Sequence, residues 1–513
     1  MPPIKRGSRL HFGVIAALLT AFSVFYFLDT CLRASEKYFW FDELCTVYIC
    51  RLPTMHAVWQ AVLHGADYNP PLFYVLTRAA NALFGEGLVA TRLPSIVGVW
   101  VLCLCLFRFV YRRAGILPAW VALLFPMLTS AYFYAYEARP HGVILGFCGL
   151  ALITWQMWDE EPRRLGWLMA FSAALGCAFF THCYAILVAV PFILAEVVQV
   201  VRLRRVRWGF WVALIVPGIA ALVSFVPLLR SYRAETAGTV FAEMFRAGFH
   251  QLPAFYDMLL APGILVVLLA LILFAARHQG FLREIKTREL MLLLGFIALP
   301  LFGVLLGKLV KGPFIPRYFM SAVAGFALLL GFGAAWGKAR NIAVVLLALV
   351  MTCAVFENFA KLVWHREHGA GEALEEPSSK APMNTTPGRP LAAYSILTST
   401  EGSPFPIIVV QPMQFLYLVH YDPRLAQRLY YVSWSKDDLF YRLYRAIRES
   451  CPVHYNRELT FREFLPQTKR FYVTGDTGYL YELQTLLERG AKIQSLRFGG
   501  AQFLAEIQMG GKQ

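Results

Sequence analysis

The chain has 513 residues, 58% of them hydrophobic and only 16% charged. A water-soluble globular protein of that length carries more charge and fewer unbroken apolar stretches, so a soluble class is excluded. The formal net charge of +16 would point to nucleic acid in a soluble protein, but its distribution along this chain argues against that partner.

A short basic start (Lys5, Arg6, Arg9) precedes an apolar segment over 11–29. No small-x-small cleavage pattern comes before Phe39-Trp40-Phe41, so the segment reads as a retained first span with its amino end in the cytoplasm. An outer loop follows over about 30–87. Within it, 55–63 and 71–76 are amphipathic and read as helices lying along the membrane surface. Further apolar stretches over 88–107, 115–134, 141–158, 165–181, 183–201, 208–229, 258–276, 290–307, 318–336 and 341–360 bring the expected crossings to about eleven. Between them lie Arg108/Arg112/Arg113, Arg163/Arg164, Arg202/Arg204/Arg205/Arg207, Arg277/Arg283/Lys286/Arg288 and Lys338/Arg340. These are the cytoplasmic loops of a positive-inside protein, which accounts for the basic balance without nucleic acid. A second outer loop, about 230–257, carries Arg230, Arg233, Glu235, Glu243 and Arg246 and is long enough to cover a cavity.

Residues 363–390 read as a linker between a membrane domain over 1–362 and a different kind of sequence over 391–513. There 406–410, 429–432 and 471–474 have strand character, while 437–449 and 479–489 have helical periodicity. The expected fold is thus an all-α polytopic membrane protein with a small C-terminal α/β domain facing the outer compartment. Gly475-Asp476-Thr477-Gly478 lacks the lysine and glycines of a phosphate loop and reads as a turn. Of ten cysteines, Cys103, Cys105, Cys148, Cys177 and Cys353 sit in apolar spans as small hydrophobes. Cys31, Cys45 and Cys50 fall outside, where a disulfide is permitted but not required.

The unusual polar clusters all fall at the edges of spans, on the side opposite the basic loops. They are Asp42-Glu43, Asp67-Tyr68-Asn69-Pro70-Pro71, Glu137-Ala138-Arg139-Pro140-His141, Thr181-His182-Cys183-Tyr184 and Pro316-Arg317-Tyr318. Ionisable groups at membrane depth are costly, so a one-sided collection of them marks a site. A carboxylate in a partly dry setting can act as a general base, and arginines can hold a phosphate and neutralise it as it departs. Such a set fits glycosyl transfer from a polyprenyl-phosphate sugar, provided these distant residues converge in one pocket.

Trp40-Phe41-Asp42-Glu43, Asp67-Tyr68-Asn69-Pro70-Pro71-Leu72-Phe73-Tyr74, Phe84-Gly85 and Ala90-Thr91-Arg92-Leu93-Pro94-Ser95 resemble the amino-terminal signature of bacterial GT-C glycosyltransferases. These are relatives of the protein O-mannosyltransferases (glycosyltransferase family 39-like) and of the enzyme that adds aminoarabinose to lipid A. Tyr136-Glu137-Ala138-Arg139-Pro140-His141-Gly142 is similar to that family's second outer motif, with His141 where Tyr is usual. Thr181-His182-Cys183-Tyr184 and Pro316-Arg317-Tyr318 resemble later ones, and the likeness covers about 10–360. It implies a GT-C fold and an inverting transferase with a lipid-linked sugar donor. The acceptor would be a glycan, lipid or protein on the periplasmic face of a bacterial inner membrane. By the same likeness Asp42 is the base and Asp67 a second outer-loop acid near the acceptor.

The candidates are therefore Asp42, Glu43 and Asp67 as catalytic acids; Arg139, Arg317 and Tyr318 for donor phosphate; and Glu137, His141, His182 and Tyr184 for substrate. Charge and position alone assign the two arginines. Each has an ordinary reading as well. Asp42 and Glu43 could be solvated acids at a helix exit, Asp67 a turn residue, and Glu137 with Arg139 a brace. Arg317, Tyr184 and Tyr318 could be interface anchors, His182 a hydrogen-bonded interface residue, and Trp40 belt or core. Metal dependence stays open: Asp42, Glu43, Asp67 and His182 could bind a divalent ion, yet arginine alone can stabilise a departing monophosphate. The rival from another class is a lipid-linked sugar flippase with a periplasmic receptor domain. That function calls for polar groups partway through the membrane, whereas here they crowd one edge. A non-catalytic assembly subunit is the third reading. Sugar and acceptor identity are not legible.

Overall fold

Hydrocarbon offers no partner to backbone N–H and C=O groups, so long apolar stretches close their hydrogen bonds internally as helices. The computed structural model describes residues 9–236, 245–261, 285–334, 340–368, 392–451 and 457–510. It opens with α1 (Arg9–Glu36), followed by three shorter helices, α2 (Phe41–Cys50), α3 (Met55–Leu63) and α4 (Leu72–Phe84). Then come α5 (Leu88–Ala114), α6 (Ile116–Leu124), α7 (Pro140–Glu160), α8 (Leu165–Phe179), α9 (Ala189–Leu203) and α10 (Trp208–Thr236). The helical part ends with α11 (Gln251–Leu260), α12 (Thr287–Ile297), α13 (Leu299–Val310), α14 (Ala322–Ala334) and α15 (Arg340–His368). Among the described residues six helices are long and apolar enough to cross a membrane, as befits a multi-pass membrane protein.

Two of the expected straight spans are broken. Over 115–134, α6 stops at Leu124 and the chain continues in 3₁₀ turns to Tyr136, with a bend of 72°. Pro126 supplies no N–H to continue the helix there. The 290–307 stretch bends by 58° between α12 and α13, with Pro300 at the start of the second piece. The expected span 258–276 lies mostly outside the described residues, as do Glu243, Arg277, Arg283 and Lys338. The surface segments become α3 and α4. Thr54 caps α3, its hydroxyl accepting from the Ala57 N–H at 3.1 Å.

α5 and α7 pack almost backbone to backbone because glycines line the seam. A Cβ on Gly142 would stand 2.6 Å from the Tyr134 carbonyl, and one on Gly146 would stand 2.7 Å from Gly98 Cα. At the carboxyl end of α7, Arg207 and Arg288 both pair with Asp159, while Arg113 reaches Glu289 at 3.0 Å. Part of the basic-loop charge is thus held in ion pairs, at the end of the bundle remote from Arg139.

After residue 391 the sequence changes from long apolar runs to short β-branched ones, and a six-stranded sheet forms in the order β3-β2-β1-β4-β6-β5. Its strands are β1 (Ile407–Val409), β2 (Leu429–Ser433), β3 (Glu458–Thr460), β4 (Arg470–Asp476), β5 (Ala491–Gly499) and β6 (Gln502–Met509). β1 runs parallel to β2 on one side and to β4 on the other, with Ile407 opposite Leu429 and Tyr472. Helices α16 (Pro412–Tyr421), α17 (Leu439–Ser450) and α18 (Tyr481–Glu488) supply crossovers and cover. β3, the β5–β6 hairpin and α16 were not anticipated. Asp476 accepts from the Gly478 N–H at 2.7 Å, so the glycine-containing run is a turn.

The two parts share a core. Phe41 packs its ring against Phe440 and Tyr444, the Tyr421 hydroxyl accepts from the Phe39 N–H at 2.7 Å, and Tyr48 meets His420 at 3.0 Å. α2, which carries Asp42, is therefore clamped between the bundle and the sheet layer.

Candidate active site

The turn from α1 to α2 is fixed by a buried charge cluster. Glu43 is fully buried and pairs with Arg92 through both oxygens, each 2.8 Å from a guanidinium nitrogen. It also accepts from the Ala138 N–H at 2.6 Å and lies 3.6 Å from Lys37. Burial by itself would raise the Glu43 pKa, but the charges of Arg92 and Lys37 outweigh it and hold the carboxylate below its usual range. Lys37 also pairs with Glu137, which accepts from the Trp40 indole at 2.8 Å. Neither Glu43, expected as a catalytic acid, nor Glu137, expected at the substrate, lines the cavity; each is engaged by buried partners, the geometry of a brace.

Asp42, in the first turn of α2, points the other way. Its carboxylate lies 2.8 Å from Arg317, and about a sixth of each side chain remains exposed. The helix N-terminus favours negative charge at this position. Arg317 comes from a 3₁₀ turn, Pro316–Phe319, between α13 and α14. That turn is held by the Phe314 N–H donating to the Phe245 carbonyl at 2.7 Å and by the Tyr184 hydroxyl donating to the Pro313 carbonyl at 2.5 Å. Trp40, read from sequence as belt or core, lines the cavity, with Arg317 5.6 Å over its ring.

Arg139 is the extended residue before α7. It donates to Asp67 at 2.8 and 3.3 Å and to the Asp42 backbone carbonyl at 3.0 Å. Asp67 further accepts from Asn69 at 2.9 Å, from the Tyr74 hydroxyl at 2.8 Å and from the Tyr68 N–H at 2.8 Å. Burial pushes the Asp67 pKa up, but Arg139 and these hydrogen bonds bring it below the ordinary carboxylate range. An acid so tightly held is a poor proton acceptor; Asp67, expected as a catalytic acid, lines the cavity with its carboxylate engaged by Arg139.

Tyr318 lines the cavity within an aromatic group, its ring centroid 4.4 Å from His182 and 5.0 Å from Tyr184. His182 lines the cavity too, and its Nδ1 accepts from the Tyr184 N–H at 3.1 Å. His141 sits behind them, buried among Tyr134, His182 and Tyr318, with no hydrogen-bond partner on either ring nitrogen. Tyr184 and His141 are outside the cavity wall. Asp42, Glu43, Asp67 and His182 do not gather as metal ligands: among the described residues no group of three or more His, Cys, Asp or Glu does so. All ten cysteines are free, Cys31, Cys45 and Cys50 included.

The cavity that joins these groups has a volume of about 1590 Å³. Its floor holds Asp42, Asp67, Arg139, His182, Arg317 and Tyr318, and one wall comes from the far part of the chain, including Tyr431, Ser433 and Glu482. Sequence reading missed that wall. Tyr431 and Ser433 belong to β2 and Glu482 to α18, and nothing in their local sequence says that the sheet faces the cavity.

No family model matches the chain, and no curated protein matches it in sequence. Among solved structures, ArnT from Cupriavidus metallidurans bound to undecaprenyl phosphate aligns with a TM-score of 0.57 and 13% identity, over 96% of this chain and 98% of that one. The same protein in its apo state aligns with the same TM-score, identity and coverage. At this identity the likeness is one of fold. From its membrane helices through its C-terminal sheet, the chain has the fold of ArnT.

Proposed function

We propose that this protein is an integral membrane glycosyltransferase that moves a sugar from a polyprenyl-phosphate carrier to an acceptor hydroxyl on the periplasmic face, with inversion. The observation that carries the reading is the Asp42–Arg317 pair, 2.8 Å apart at the floor of a large cavity. The binding of undecaprenyl phosphate by ArnT, which has the same fold, supports a lipid phosphate as the donor's carrier.

Arg317 pairs with Asp42, whereas Arg139 pairs with Asp67. An arriving donor phosphate competes for the Arg317 guanidinium, which matches phosphate geometry by bidentate hydrogen bonds. As Arg317 swings to the phosphate, the Asp42 carboxylate is released to accept a proton. The acceptor hydroxyl gives its proton to Asp42, and its oxygen bonds to the anomeric carbon from the face opposite the phosphate. The bond from that carbon to the phosphate oxygen breaks with its electron pair, and the extra negative charge falls beside Arg317. Arg139, tied to the Asp42 carbonyl, keeps the base in register.

The test supplies purified protein with undecaprenyl-phosphate hexoses and pentoses and reads release of undecaprenyl phosphate together with new glycosidic product. Asp42→Asn abolishing both supports the reading. Near-normal turnover by that variant, or movement of donor across a vesicle without product, overturns it.

A further inference from the structure

The wall contributed by the C-terminal sheet has a geometry of its own. From β1 the chain passes to β2 and β3 on one side, then returns to β4 on the other, so the strand order reverses between β1 and β4. In open α/β sheets, ligands bind in the crevice outside the carboxyl ends of the strands at such a reversal. Val410 follows β1, Trp434 follows β2 and Tyr479 follows β4, and all three line the cavity that holds Asp42. The sheet's own crevice therefore opens onto the catalytic floor.

Its chemistry differs from that of the floor. Among the described residues the sheet-side lining contains carboxylates and aromatic rings but no lysine or arginine. Glu482 accepts from the Trp434 indole at 2.7 Å, and Asp438 accepts from the Tyr431 hydroxyl at 2.9 Å. Asp438 accepts from both the Tyr431 hydroxyl and the Tyr441 N–H on Oδ1, Glu482 also bonds the Tyr481 side chain, and a carboxylate has about four acceptor sites to offer. Tyr481 is 56% exposed, and its ring lies 6.0 Å from that of Tyr479. Fixed carboxylates accept from sugar hydroxyls, exposed aromatic faces cover the C–H faces of pyranose rings, and an anion is repelled.

The geometry points to a saccharide-binding subsite at the carboxyl ends of β1, β2 and β4, which takes the acceptor as a neutral or amine-bearing glycan and rejects a polyanionic one. Its assignment to the acceptor rests on the proposed transferase activity; its capacity to bind saccharide does not. The donor phosphate and the acceptor then approach Asp42 from walls of opposite character, which keeps either from occupying the other's place.

The test measures equilibrium binding to the full chain in detergent by intrinsic fluorescence, with three probes: maltotetraose (neutral), a glucosamine tetramer (cationic) and a galacturonate tetramer (anionic). The neutral and cationic tetramers are expected to bind and the anionic one not to. Tyr481→Ala and Glu482→Gln should each weaken binding about tenfold, whereas Tyr481→Phe retains it. Asp42→Asn should bind the tetramers like the parent, so loss of transfer and loss of saccharide binding are read separately. Tyr481 is exposed, so its removal leaves folding intact should Glu482→Gln disturb Trp434. Preference for galacturonate, absence of binding by all three, or binding unaffected by both Tyr481→Ala and Glu482→Gln overturns the subsite. Absent transfer in the parent with saccharide binding intact overturns the transferase reading instead.

Discussion

Asp67 and the backbone of Asp42 are joined by a single nitrogen of Arg139, which donates to the Asp67 carboxylate at 2.8 Å and to the Asp42 carbonyl at 3.0 Å. One guanidinium thus ties the start of α7 to both Asp42 and Asp67 of the first outer loop. The division of labour follows: Asp67 neutralises Arg139, and Arg139 positions Asp42, whose own carboxylate faces Arg317.

Removing a positioned general base lowers rate by about 10²–10⁴-fold. Asp42→Asn should therefore lose at least that much turnover while melting near the parent temperature. Arg317→Lys keeps the charge but not the planar fork, so it should raise KM for the lipid donor more than it lowers kcat. Steady-state kinetics with varied donor separates the two, and equal effects on both parameters would contradict a phosphate-holding role.

Asp67→Asn should act through stability. It leaves the Arg139 guanidinium buried without its counter-charge, at a cost of about 3–5 kcal/mol. Denaturant unfolding in detergent reads this directly. Pairing it with Arg139→Met should restore much of the stability but not the activity. Full turnover by Asp67→Asn at parental stability would refute the brace.

Gly98→Ala should separate α5 from α7, since the seam leaves a Cβ on Gly146 only 2.7 Å from Gly98 Cα. Overpacking of this kind costs about 1–3 kcal/mol. Because α7 begins beside Arg139, transfer should fall further than unfolding accounts for, which activity per folded molecule would show.

Docking of the sheet on α2 should depend on pH. His420, beside Tyr48, has its pKa lowered to about 4 by burial and, secondarily, by Arg51. A folded value below the unfolded one of about 6.5 means that its contribution is fully present above pH 6.5 and is lost as pH falls toward 4. Amide exchange along α2 and α16 should rise over that window, and His420→Gln should flatten the response.

The clusters at span edges were legible in sequence because charge beside an apolar run has few structural excuses. Their partners were not. Glu43 and Asp42 are adjacent, and nothing local says that one turns into Arg92 while the other faces the cavity. The chain alone does not reveal that Asp67 is paired with Arg139. The breaks near Leu124 and Ala298 also escaped notice, since Pro126 and Pro300 sit within runs whose average composition still reads as membrane-spanning.

Hydropathy and basic-loop placement alone determine that this chain carries several segments apolar enough to enter a membrane and that its unusual polar clusters fall at their edges. Both follow from the transfer cost of each residue, which is additive along the sequence. Which carboxylate is spent in an ion pair and which faces the cavity is decided only by tertiary packing. So is the meeting of the distant sheet with α2 and the cavity floor. Coulomb energies and hydrogen bonds depend on distances between segments, and those exist only once the helices and the sheet have docked.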